Sequence, residues 1–314
     1  MRVASSLQLL GRWARWALPL GVCVGLVWPA LAQAMQPLLP AAVIATLTAS
    51  LLRLDWRDLA HWLKHPRLPL LLVAIQLLVS PIAVGLLAAA GMIPEPLVVI
   101  LVLQAAGAPI GSAAAFALFL GLPGHLIMIG AVLSTLLLPI TLSLVVALLL
   151  PSFGIEVALW PFVMRVTLYA FAPFLLAASL RKLVGLERLR RRDADLAGLN
   201  VLALLVFAIA IMQGVTDAFL EDPAMILTLL GWSLIATLVG HAAGYLGFRR
   251  LGFDTAVGAA LMLGNRNMGL LLVVTAGTAG PAFQMYCGLA QIPMYCVPLV
   301  LGFVMRRLRV APPD

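Results

Sequence analysis

The residues best equipped for chemistry in this chain are Asn265, Arg266 and Asn267, set inside the apolar run ALMLGNRNMGLLLVV over residues 260–274. An arginine brings a permanent charge and five N–H donors with no acceptor, and an asparagine amide both donates and accepts. Such a cluster can hold an anion, or it can satisfy backbone carbonyls that an interrupted helix leaves without partners. Gly264 and Gly269 flank it, and glycine weakens a helix. A second apolar run, VLQAAGAPIGSAAAF over residues 102–116, is interrupted by Gly107, Pro109 and Gly111. Proline there removes a donor and breaks the helical ladder. Three further polar residues stand in apolar surroundings. Arg165 either faces a cavity as a second anion contact or snorkels toward phosphates and carbonyls. His241 reads as an interhelical hydrogen bond rather than a proton carrier. Gln291 lies close to Pro293 and Pro298, where a kink is expected.

The elements that must carry these residues are transmembrane. Of 314 residues, 63% are hydrophobic and only 10% charged, against roughly 25% charged in a soluble domain, and the mean hydropathy is +1.11. The net charge of +8 comes in short basic clusters between apolar runs, the pattern of a membrane topology signal and not of a nucleic-acid surface. Cys23, Cys287 and Cys296 lie in apolar runs without C-x-x-C spacing, so neither a disulfide framework nor a metal site is expected. No P-loop, zinc motif or catalytic triad is present, so the chain is not expected to be an enzyme or to need a cofactor.

Ten apolar runs reach bilayer length, at about 16–34, 37–52, 68–91, 94–120, 123–150, 155–180, 197–216, 224–248, 255–279 and 281–305. With both termini in the cytoplasm, every basic residue except Arg165 and Arg266 falls in a cytoplasmic segment, while the outer loops carry Glu95, Glu156, Asp217, Glu221 and Asp222. That distribution obeys the positive-inside rule and indicates a multi-pass protein of the inner membrane. The run WALPLGVCVGLVWPALAQA resembles a signal peptide, but removing it would spoil this agreement, so it is read as the first span. Ten spans divide into five and five, residues 1–153 and 154–314. An odd number per half makes the second half enter with opposite orientation, as in an inverted-topology repeat. The fourth and ninth spans then correspond, and these are the two with mid-span breaks. Paired interrupted helices point to a transporter's midplane site.

With these residues in view, the chain resembles the bile acid:sodium symporter family, which belongs to a wider group with auxin-efflux and arsenite carriers. The resemblance covers most of the chain. It implies an all-α membrane protein of ten helices in two inverted five-helix repeats, with helices 1, 2, 6 and 7 as a panel and a core in which broken helices 4 and 9 cross. Gln76 and Pro81 in VAIQLLVSPIAVG match the family's third helix, and Pro109, Gly111 and Ser112 stand in the stretch that resembles its fourth-helix motif P-G-G-x-x-S-N. The family's sodium ligands are largely replaced. Its Ser-Asn pair becomes Ala114-Ala115, its two fifth-helix hydroxyls fall near Ile127 and Ala131, its ninth-helix glutamate is Met262, and its glutamine is Arg266; Asn267 is retained. Sodium, a hard cation, wants about five or six oxygens.

The expected function is therefore secondary transport of a small organic anion, bile-acid-like or another amphipathic carboxylate, by alternating access. Arg266, Asn265, Asn267, Gln76, Ser112, Pro109, Arg165 and Gln291 are the expected substrate or coupling residues, and Arg266 is a fixed cation in place of sodium. Whether sodium couples at all, and whether Arg266 touches substrate or only ties the helix break, stay open at this stage. A non-transporting receptor or structural partner built on the same fold is the alternative.

Overall fold

The computed structural model describes residues 14–53, 66–110, 113, 116–117, 120–122 and 124–310. The expected site residue Ser112, together with Gly111, Ala114 and Ala115, lies outside the described residues. The chain is an all-α membrane protein. Its helices are numbered here as α1 (Ala14–Val27), α2 (Pro29–Leu52), α3 (Arg67–Ala89), α4 (Glu95–Ala106), α5 (His125–Phe153), α6 (Leu159–Val184), α7 (Asp193–Glu221), α8 (Pro223–Leu251), α9 (Phe253–Gly264), α10 (Met268–Val274) and α11 (Gly280–Gly302). Among the described residues seven of these, α2, α3, α5, α6, α7, α8 and α11, are long and apolar enough to cross a membrane, while α4, α9 and the Leu18–Val27 part of α1 are shorter apolar helices.

The helices pack in two groups that meet along α5 and α6. In one, α7 lies against α1 and α2, and α6 against α2. In the other, α9 lies along α8, α5 contacts α3 and α9, and α11 contacts α8. In lipid the drive for such packing is close contact of backbones rather than expulsion of water, and small residues four apart provide it in both groups. A Cβ on Gly21 would come within 2.5 Å of Ala208 Cβ, and one on Gly25 within 2.7 Å of Ile209 O. A Cβ on Gly240 or Gly244 would come within 2.5 Å of Leu263 O or Ala259 O. The outward faces stay apolar. On α6, Leu168, Leu175 and Leu183 are exposed along one stripe, as a lipid-facing side requires.

Two local features matter for the site. Residues Ile75–Val79 of α3 form a π turn. At the C-terminal end of α2, Arg53 pairs with Asp193 at the start of α7 (2.9 Å), and Arg181 near the end of α6 donates to Leu51 O and Leu52 O (2.9 Å each). These bonds bring one end of α2, α6 and α7 together.

Candidate functional site: the crossing of two interrupted helices

Helix α4 stops at Ala106, and Gly107 turns into extended backbone with φ −69° and ψ 148°. The physical cause is two residues on: Pro109 has no N–H and disfavours helical backbone at Ala108. Helix α9 stops at Gly264, Asn265 is extended (φ −113°, ψ 96°), and α10 restarts at Met268. Asn267 caps that restart, its Oδ1 accepting the Leu270 N–H at 3.0 Å, as an asparagine at a helix start does. The two extended segments pair antiparallel, Pro109 opposite Arg266. Ile110 N–H donates to Asn265 O (2.9 Å) and Asn267 N–H to Ala108 O (2.7 Å). Each break thus satisfies backbone groups that the other exposes, which is the condition for irregular backbone at membrane depth.

The Arg266 side chain closes the crossing. It is 4% exposed and donates to Gly107 O (3.1 Å), Ser80 Oγ (3.2 Å) and, at longer range, Gln76 O (3.4 Å). Gly107 O lies at the C-terminal end of α4, the negative end of that helix dipole. Gln76 O is available because of the π turn. Ser80 N–H bonds Ile75 O five residues back, and in that register Gln76 O would face the nitrogen of Pro81, which has no hydrogen. The Gln76 amide adds a second tie, with Nε2 3.4 Å from Gly107 O and 3.3 Å from Met262 O, and leaves its buried Oε1 without a protein partner. So α3, α4 and α9 are joined through one guanidinium and one amide. Ser80 was not among the expected residues; its signal was a hydroxyl one turn past Gln76 and directly before Pro81.

Behind the crossing, Asn265 Nδ2 donates to Leu261 O (3.1 Å) and faces His241 Nε2 (3.3 Å), while His241 Nδ1 lies 2.8 Å from Thr237 O. A carbonyl only accepts, so Nδ1 carries the hydrogen and Nε2 accepts from Asn265. His241 therefore serves here as a neutral interhelical link, as expected.

Other expected residues stand elsewhere. Arg165 donates to Ala276 O, beyond the far end of α10 from Arg266, where it stabilises a helix C-terminus. Gln291 donates to Cys287 O (3.1 Å) inside its own helix, and its buried Oε1 has no protein partner. Neither is hydrogen-bonded to the crossing. At Met262, Ile127 and Ala131, where the resemblance would put sodium ligands, the side chains are apolar. Met262 is fully buried, lying so close over Gly130 that a Cβ there would be 2.2 Å from its Cε. Ile127 is 1% exposed. Ala131 lines a cleft.

That cleft has an empty volume of ≈ 510 Å³, open mouth included, and runs between α2, α5 and α6 up to Pro109. Its walls are Leu47, Ser50 and Leu51 from α2, Met128, Ala131, Val132 and Thr135 from α5, and Pro173 and Phe174 from α6. Arg266 is not in its wall. Leu51 places the cleft near the end of α2 where Arg53 pairs with Asp193 of α7. About 27 Å further along α7 at 1.5 Å per residue, the turn that interrupts it at Ile211 is shut against α11. Gln284 donates to Gln213, and a Cβ on Gly288 would meet Ile211 O at 2.7 Å. Comparison with protein-family models and with curated proteins gives no match for this chain.

Proposed function

We propose that the chain is a secondary transporter that carries an amphipathic organic anion by alternating access, with the architecture of the bile acid:sodium symporter family: ten spans in two inverted five-helix repeats, both termini cytoplasmic. The observation that carries this reading is the antiparallel crossing of two interrupted helices beside a cleft between two helix groups. An inverted repeat meets its own copy antiparallel, and transporters place their sites at such breaks. Seven long and three short apolar helices among the described residues support a ten-span reading, and the packing of α1, α2, α6 and α7 with one another supports a panel beside a core. With the cleft open at the α2–α6 end and α7 sealed on α11 at the other, the conformation is inward-open.

In this reading Arg266 stands in for the coupling cation. Its hydrogen bonds go to carbonyl and hydroxyl oxygens at the crossing, and Met262 fills space against Gly130 where a carboxylate would be needed. Transport is then independent of sodium. The test is uptake of cholate into proteoliposomes with sodium or choline as the external cation. A coupled ion typically changes affinity by roughly 5- to 150-fold; the expected change here is less than about twofold. A sodium response in the coupled range would overturn the fixed-cation reading. Absence of cholate uptake and binding by folded protein would favour the receptor alternative.

Alternating access adds a second expectation. Gly288→Leu forces α11 off Ile211 and biases the protein toward the outward-open state. In a background without the three native cysteines, Gln213→Cys should then react with an impermeant maleimide about tenfold faster. An unchanged rate would show that this seam does not open.

A further inference from the structure

A charged surface stands at the junction of α6 and α7. Gly185 ends α6 with φ 87° and ψ 137°, a conformation that glycine reaches without strain, and the short helix Leu186–Arg191 follows. Leu189 anchors that helix, buried with Leu51, Leu52 and Ala177. Its basic residues stay outside: Arg188, Arg191 and the adjoining Arg192 are exposed. So is Lys182, seven residues beyond the exposed Leu175 and therefore on the same, lipid-facing side of α6.

These cations differ in what they face. Arg191 pairs with Glu187 (2.7 Å), Asp193 is taken by Arg53, and Asp195 has a partner as well. Among the described residues no acidic side chain pairs with Lys182, Arg188 or Arg192. Arg192 N–H bonds Arg188 O at 3.2 Å, which sets the two side chains one helical turn apart on one face. Like charges at that spacing destabilise a helix. A phosphate between them would reverse the sign, since a guanidinium binds phosphate through two parallel N–H donors.

The apolar surroundings say what carries the phosphate. Leu183 is 79% exposed and Leu186 44% exposed, and they continue the exposed row of Leu176 and Leu180 on α6. A free phosphate gains nothing from leucine. An anionic phospholipid uses both parts, its headgroup on the arginines and its acyl chains on the leucines, and basic segments beside a membrane span attract such lipids.

We propose that Arg188 and Arg192 form a binding site for the headgroup phosphate of an anionic phospholipid, whose acyl chains lie along Leu183 and Leu186, with Lys182 as a flanking charge. Bound lipid neutralises the arginine pair and steadies the junction of α6 and α7. Nothing in this arrangement depends on what the chain transports.

The test is thermal unfolding of the full chain in detergent micelles titrated with dioleoylphosphatidylglycerol. A ligand that binds only the folded state raises stability by mass action, so the titration yields an apparent dissociation constant. Dioleoylphosphatidylcholine and inorganic phosphate are titrated in parallel. The wild type is expected to be stabilised, saturably, by phosphatidylglycerol alone. One basic residue beside an anionic headgroup corresponds to about fivefold in affinity, so Arg188→Gln/Arg192→Gln should weaken binding about 25-fold. Arg188→Lys/Arg192→Lys keeps the charge without the fork and should weaken it less. Without lipid the glutamine variant should melt no lower than the wild type, because the repelling pair is gone. Arg249→Gln/Arg250→Gln removes two charges that the ten-span reading puts on the same membrane face, and it should change the constant by less than about twofold. Equal weakening by the two glutamine double variants would reduce the effect to diffuse surface charge and overturn the proposal. Equal stabilisation by phosphatidylcholine or by inorganic phosphate would overturn it too, as would a wild type that phosphatidylglycerol does not stabilise. A glutamine variant that melts lower without lipid would make the arginine pair structural and likewise sink the site.

Discussion

Gly264→Ala is expected to lower stability by about 3 kcal/mol, the upper part of the usual range for overpacking a tight interface. A Cβ at this position would lie 1.9 Å from His241 Nδ1, 2.2 Å from Cε1 and 2.5 Å from Cγ. The obstacle is an imidazole held between Thr237 O and Asn265, so it cannot swing aside cheaply. Either α8 and α9 separate, losing the close approach at Gly240 and Gly244, or the ring leaves and Asn265 loses a partner. Against a total stability of roughly 5–15 kcal/mol, such a change is large. The measurement is thermal unfolding in detergent of Gly264→Ala, His241→Ala and the double variant. Relief of the clash should recover about 2 kcal/mol in the double variant, a coupling typical of contacting residues. A double variant no more stable than Gly264→Ala alone would show that the imidazole is not the obstacle.

Arg266→Met is expected to destabilise the protein by about 2–4 kcal/mol and to abolish transport. Two effects oppose each other. Removing an arginine from a membrane helix relieves an insertion cost of about 2.5–3.5 kcal/mol. It also deprives Gly107 O, Gln76 O and Ser80 Oγ of a charged donor, each bond being worth about 1.5–3 kcal/mol, with the 3.4 Å contact at the low end. The second effect is larger because three oxygens are served by one side chain, and Gln76 Nε2 reaches only Gly107 O among them. Arg266→Lys should fall between: an ammonium keeps the charge but lacks the planar fork that spans α3 and α4 together. Thermal unfolding and cholate uptake of the three proteins decide the matter. An Arg266→Met protein as stable as the wild type would mean that the guanidinium is not what ties α3, α4 and α9.

Much of the site was legible because its residues violate their surroundings. A charge and two amides in an apolar run mark themselves, and a proline between glycines marks a break. Asn267 as a helix cap and Arg266 as the partner of freed carbonyls follow from those types alone. What stayed hidden depends on register between distant helices. Nothing local says that Gln76 O is released by a π turn, since that turn depends on packing as well as on Pro81. Nothing local says that Ser80 completes the guanidinium's ligands, or that Arg165 is spent on Ala276 and Gln291 on its own helix. Composition alone supports Arg165 and Gln291 as site residues as well as it supports Arg266.

By itself the sequence determined an all-α membrane protein, because apolar length and charge distribution act on each segment separately. It also determined where α4 and α9 must stop, because proline and glycine act on their own backbone. Only the tertiary structure decided that the two breaks face each other, which oxygens receive Arg266, and that Arg266 lies outside the wall of the cleft. Those depend on contacts across as many as 190 residues of chain, where side-chain type constrains little and helix packing decides. The same holds for Ser50 and Thr135. Each is an ordinary hydroxyl in an apolar helix until the fold sets both in one cleft wall.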